Sequence, residues 1–88
     1  MPQLNHTELT LDFYMRSRTK NFFNGKVHSI TAFNDKGELD ILPMHTNFVS
    51  IVKGYVIVDK SLSTEQKFEY DSGVLSVQDG KIDLYVGV

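Results

Sequence analysis

Cysteine is absent from the 88-residue chain, and so is tryptophan. Without cysteine there can be no disulfide, no thiol nucleophile, no thiolate zinc site and no iron–sulfur cluster. The same absence does not assign a compartment, since a cysteine-free domain is stable under any redox conditions. Long apolar runs are missing as well. None approaches the ~20 residues that a membrane-spanning helix requires, so direct membrane insertion is not expected. Nor is there a dominant charge. Nine Lys and Arg face eleven Asp and Glu, a net charge of −2. The general basic field of a nucleic-acid binder is therefore lacking. Residues 1–6 offer no basic end followed by an apolar block, so no secretory leader is expected and the chain is placed in the cytoplasm.

What is present is an ordinary globular composition, with 41% hydrophobic residues, six Phe and four Tyr. That argues against disorder, and the length allows a single domain. Residues 9–88 are expected to form it, after a flexible segment over residues 1–8.

The chain alternates in short segments. Leu9, Leu11, Phe13 and Met15 fall on one face of a strand. Residues 27–33 form a second strand with poor alternation, and residues 20–23 a short one that Asn24-Gly25 closes. Asn34-Asp35-Lys36-Gly37 is turn chemistry. Pro43 cannot donate to a sheet ladder and marks an edge or a break. Residues 48–52 and 55–58 are β-rich runs separated by Lys53-Gly54, which predicts a tight hairpin. Residues 66–70 alternate again, and Asp71-Ser72-Gly73 predicts a turn. Asp79-Gly80, between two alternating runs, is the strongest hairpin signal, because both central residues of a type I′ turn need positive φ. No segment carries a helical apolar stripe. Short strands with turn residues near every tenth position predict an all-β sandwich or barrel.

A search for chemistry finds little. His6, His28 and His45 are not at metal-ligand spacing, so neither a metal nor a cofactor is expected. His6 reads as terminal, His28 as a half-buried strand residue, and His45, following Pro43 in a turn, as the one to watch. Glu38 and Asp40 point to one side of a strand, next to a turn, and read as a solvated face rather than an acid–base pair. No serine lies in a nucleophile elbow, and the glycines stand singly after turn residues, so there is no phosphate loop. Arg16, Arg18, Lys20 and Lys26 interleave with Phe22 and Phe23, as in single-strand binders. The acidic remainder of the chain makes nucleic acid the poorer partner. On the residues alone, this is a non-catalytic binding or assembly module.

Three blocks go further. Phe23-Asn24-Gly25-Lys26-Val27-His28-Ser29-Ile30 resembles the F-x-G-x-V-x-x-I opening of the epsilon subunit of F-type ATP synthases, called delta in mitochondria. Residues 37–45, Gly-Glu-Leu-Asp-Ile-Leu-Pro-Met-His, resemble its G-E-L-G-I-L-P-G-H segment. Residues 72–82 resemble its S-G-G-x-L-E-V-x-x-N-x-V block. Order and spacing are kept from about Leu9 to Val86.

The resemblance implies the fold of that family's N-terminal domain, a two-sheet sandwich of about ten strands. It implies a central-stalk rotor subunit, itself non-catalytic, that couples the gamma subunit to the c-ring in proton-driven ATP synthesis. Such a subunit lies peripherally on the cytoplasmic face of the inner membrane, through its complex. The family's C-terminal helices are expected to be missing, since the chain stops at Val88 where the sandwich should end. By motif, Glu38 falls in the acidic loop facing the c-ring, and Ser17, Met44, His45 and Ser50 on stretches facing gamma. Asp40 and Met44 replace family glycines, which implies a changed backbone or a changed contact at Met44. The family's proline before Gly54 is also missing. The alternative is a divergent stand-alone sandwich that binds another protein.

Overall fold

A computed structural model describes residues 9–87. The proposed flexible segment over residues 1–8 lies outside the described residues. Seven strands form: β1 (Leu11–Arg16), β2 (Asn21–Val27), β3 (Ile30–Asn34), β4 (Gly37–Ile41), β5 (Phe48–Val58), β6 (Gln66–Gln78) and β7 (Lys81–Val86). Among the described residues there is no helix, as expected. The all-β class holds, but the count is seven rather than about ten.

The difference lies in β5 and β6. All seven strands join one hydrogen-bonded sheet in the order β2-β1-β7-β6-β5-β3-β4. Only residues 73–78 of β6 pair with β7. Only residues 56–58 of β5 pair with β3. The two long strands therefore pass from one layer into the other. The first layer is β2, β1, β7 and the 73–78 half of β6, with the 48–53 half of β5. The second is the remaining halves with β3 and β4. Counting each half separately brings seven strands to nine.

The predicted hairpin at Lys53-Gly54 is not formed. Both β-rich runs belong to β5 and pair with β6 along its length, with a register shift between Lys53 and Gly54. The predicted turn at 71–73 is a bulge in β6. Ser72 pairs with Lys53 and Tyr70 with Gly54, leaving Asp71 over. One extra residue reverses the facing of a strand. Phe68 and Tyr70 accordingly point inward before the bulge, and Gly73, Leu75 and Val77 after it.

Residues 27–33 are likewise two strands. Val27 ends β2 and Ile30 begins β3, both buried, with the chain crossing between layers at His28 and Ser29. The poor alternation of this segment is the trace of that crossing. The N–H groups of His28 and Ser29 donate to the Asp59 carboxylate at 2.6 and 3.3 Å instead of to a strand. His28 is exposed, not half-buried. Asn24-Gly25 makes no turn either, since both pair with β1 inside β2. The Asp79-Gly80 hairpin stands as expected, with φ of 52° and 80°.

Leu11, Phe13 and Met15 are buried as the alternation predicts, while Leu9 lies before β1 and is exposed. The three buried residues pack with Ile30, Ile41, Val52, Val56, Leu75 and Leu84 into one core. Phe23 of β2 touches Phe13, with centroids 5.5 Å apart, and reaches Phe68 in the other layer at 6.2 Å. Aromatic pairs at this separation favour tilted and edge-on geometry, as these have.

Candidate partner-docking surface

Met44 is the most exposed large apolar residue described, at 87%. Pro43 explains why. The His45 N–H donates to the Leu42 carbonyl at 3.1 Å, closing a four-residue turn. Met44 takes φ of 70° at its third position. Proline second and positive φ third is the type II pattern, where glycine is normally required. The backbone at Met44 thus keeps a conformation suited to glycine, and what has changed is the side chain presented to solvent. Holding a non-glycine residue left-handed costs roughly 1–2 kcal/mol. Met44→Gly should therefore leave the melting temperature unchanged or raise it by a few degrees, measured by thermal denaturation. A clear fall would mean that Met44 packs inward.

His45 is half-buried. Its Nδ1 donates to the Thr46 carbonyl at 2.8 Å, and its ring lies 5.1 Å from that of Phe48. Met44 and His45 line a shallow groove of 420 Å³ with Leu9, Pro43, Asn47 and Asp79. This groove sits where β7 begins. Ser17 sits where β7 ends, against Val86 and Gly87. Its hydroxyl accepts the Thr19 N–H at 3.3 Å and so shapes the β1–β2 connection. Ser50 is half-buried, accepts from Asn34 Nδ2 at 3.2 Å, and faces the fold rather than the surface. The structure does not bring these four residues together. Met44 and His45 are neighbours, Ser17 lies at the opposite end of the same layer, and Ser50 is engaged within the fold.

Glu38 lies on β4, the edge strand of the second layer, and not in a loop. Its carboxylate accepts from Tyr55 Oη at 3.3 Å and Lys60 Nζ at 3.4 Å. Asp40, on the same side, accepts from the buried Thr31 hydroxyl at 2.6 Å. The two carboxylates thus have separate partners. Among the described residues no group of three or more His, Cys, Asp or Glu could hold a metal ion.

Sequence reasoning missed the apolar part of the surface. Val49 and Ile51 are 69% and 65% exposed on the outer face of β5, with Leu42 at 55% nearby in sequence. Ile51 pairs with Val74, and Val74 with Tyr85, so an apolar row crosses three strands. The signal was available. Phe48, Val49, Ile51 and Val52 make residues 48–52 apolar on both faces, and a strand apolar on both faces is normally covered on both. Phe48 and Val52 face the core, while Val49 and Ile51 face outward.

Comparison with known proteins accords with this geometry. The chain is similar to a mitochondrial ATP synthase chain of Tetrahymena thermophila, from a structure of the central stalk and c-ring. Identity is 18%, the TM-score is 0.73, and the match covers 89% of this chain and 63% of that one. It is also similar to a chain in the mitochondrial ATP synthase of Euglena gracilis, from a structure of OSCP, F1 and the c-ring. There identity is 17%, the TM-score is 0.80, and coverage is 98% and 58%. The chain thus spans about three fifths of the solved chains it matches. At such identities these likenesses establish the fold, and the family comes from the sequence. Residues 10–87 match the family described as ATP synthase, Delta/Epsilon chain, beta-sandwich domain, and the chain belongs to that family.

Proposed function

We propose that this domain is a non-catalytic central-stalk subunit of an F-type ATP synthase that joins a gamma-type subunit to the c-ring. The observation that carries the reading is the exposed apolar face of β5, Val49 and Ile51, together with the exposed Met44 of the preceding turn, on a domain of this family. Large apolar side chains so far open on an otherwise well-patterned domain mark a surface meant to be covered. A partner reaching both the Met44–His45 corner and the Ser17 end must lie along the outer face of the first layer. Ser50 would then support that face from within.

The role is mechanical. A close-packed sandwich transmits strain instead of absorbing it, and β5 and β6, each running through both layers, tie one face rigidly to the other. Glu38 lies on the second layer and would meet the c-ring. Binding there would exchange its Lys60 and Tyr55 contacts for partner donors. No helix of the described residues is long and apolar enough to cross a membrane, so membrane association would run through the complex.

The test is co-purification with gamma and with the c-ring. Both should be retained by the wild-type chain. Glu38→Gln should loosen the ring while leaving gamma bound, with the melting temperature nearly unchanged, because the exposed Glu38–Lys60 pair adds little to stability. Failure to retain either partner would favour a stand-alone protein-binding sandwich.

A further inference from the structure

β1 and β7 run parallel in the first layer, and their register sets four outward side chains at the corners of a square. Tyr14 stands opposite Asp83, and Arg16 opposite Tyr85. The Arg16 guanidinium lies 5.3 Å from the Tyr14 ring centroid and 5.0 Å from that of Tyr85. Its Nη2 donates to Asp83 Oδ2 at 3.1 Å. Tyr14 is held in turn, its hydroxyl donating to Asn21 Oδ1 at 3.0 Å. The guanidinium is thus stacked and oriented before any partner arrives, while 35% of the side chain stays open. Among the described residues Arg16 Nε and Asp83 Oδ1 are buried without a hydrogen-bond partner. The pair is therefore made through Nη2 alone, and a second acceptor would have to be met by the remaining Nη N–H groups on the open third of the side chain.

The surroundings favour a negative one. Arg18 and Lys20 are exposed in the connection that follows, and Lys20 Nζ lies 5.5 Å above the exposed Phe22 ring. Arg16, Arg18 and Lys20 thus stand at alternate positions of one segment in a domain whose net charge is −2, and Arg16 among them pairs with Asp83. Arg16 also completes the apolar row, which then runs Ile51, Val74, Tyr85, Arg16 across four strands.

We propose that Arg16 is the polar anchor of this face and receives a carboxylate from the gamma-type subunit, next to an apolar stretch of that subunit seated on Ile51, Val74 and Tyr85. This rests on the central-stalk reading above. A guanidinium matches a carboxylate with two parallel hydrogen bonds. Arginine and tyrosine, held in place and flanked by apolar residues, are the side chains on which interface energy concentrates. Preorganisation spares the ordering cost that a free arginine would bring. The flat apolar row that continues the cationic end suits a protein surface better than a lipid headgroup layer.

The experiment is titration of this chain into a gamma-containing rotor complex lacking it, with melting temperatures measured in parallel. Arg16→Ala should weaken binding about tenfold or more. Arg18→Ala and Lys20→Ala should change it by no more than about twofold, as rim charges do. The exchange R16D/D83R keeps an ion pair and should keep the fold, yet it should not restore binding. Wild-type affinity in Arg16→Ala, or in the exchange, would show that Arg16 serves only the fold, with the central-stalk reading intact. Arg16-dependent capture by phosphatidylglycerol vesicles, with gamma affinity unaltered, would overturn the anchor in favour of lipid. Absence of wild-type binding to the gamma complex would defeat the central-stalk reading and the anchor with it.

Discussion

Gly73→Ala should cost about 3 kcal/mol or more, at the upper end of what overpacking a core costs. That is a large part of the ~4–13 kcal/mol available to a chain of this size. Gly73 follows the Asp71 bulge, where β6 leaves the second layer for the first, and pairs with Val52 on one side and Val86 on the other. A Cβ there would lie 2.7 Å from the Tyr85 carbonyl oxygen and 3.2 Å from both Leu84 Cδ1 and Val86 Cγ1. Side chains can shift by a few tenths of an ångström. The carbonyl oxygen cannot, because it belongs to the β7 backbone beside the β6–β7 ladder. The demand is for space and not for a special φ. Gly54, on the paired strand, makes the contrast, with φ of +88° and nothing within 4 Å of where a Cβ would stand. Gly54→Ala should therefore cost only the left-handed penalty, roughly 1–2 kcal/mol. Urea unfolding of both variants separates the two mechanisms. Equal midpoints would mean that β7 does not close against Gly73 as described.

The same crossing explains where the sequence was readable. Alternation in β1 and β7, and the Asp79-Gly80 turn, are local features, and each came out as expected. The Lys53-Gly54 and 71–73 segments did not, because glycine and aspartate serve bulges as readily as turns. Choosing between them requires knowing which strand lies alongside, and Lys53 and Gly54 meet their partners, Ser72 and Tyr70, only when the whole of β5 and β6 pair through the 59–65 connection. A trace was still present. The inward residues of β6 fall on even positions up to Tyr70 and on odd positions from Gly73, a change of parity that a bulge produces and a hairpin does not need.

The docking surface divides in the same way. Met44 stands out in sequence because a glycine is expected after Pro43, and its exposure follows from one turn. Val49 and Ile51 were visible as strand formers, but their outward facing depends on the parity of β5. The Arg16 stack was beyond local reading. It exists because β7, from the far end of the chain, lies parallel to β1 and sets Tyr85 and Asp83 next to Tyr14 and Arg16.

Asp59→Ala should be the second costly change, at about 2–4 kcal/mol, since it strands three donors and each buried group so left costs about 1–3 kcal/mol. Asp59 is 5% exposed and follows the last residue of β5. Its Oδ1 takes the His28 and Ser29 N–H groups, and its Oδ2 takes the Thr64 hydroxyl at 2.6 Å. One carboxylate thus clasps the β2–β3 crossing to the β5–β6 connection. Its φ of 55° suits aspartate or asparagine better than alanine. Asp59→Asn should accordingly cost less, since it retains an acceptor and the backbone preference. Burial raises the Asp59 pKa, but the bonds from Thr64, His28 and Ser29 outweigh it, and the carboxyl sits below its ordinary 3.8. A carboxyl with a pKa depressed by folding adds stability above its unfolded value, and that stability is lost as pH falls through the folded value. The gap between wild type and Asp59→Asn should therefore be full at pH 7 and shrink below about pH 4, near the unfolded value. Comparing the two proteins at each pH isolates the contribution of Asp59. Urea midpoints at pH 7 and pH 3 measure it, and a gap unchanged at pH 3 would show that the clasp does not depend on the charge of the carboxylate.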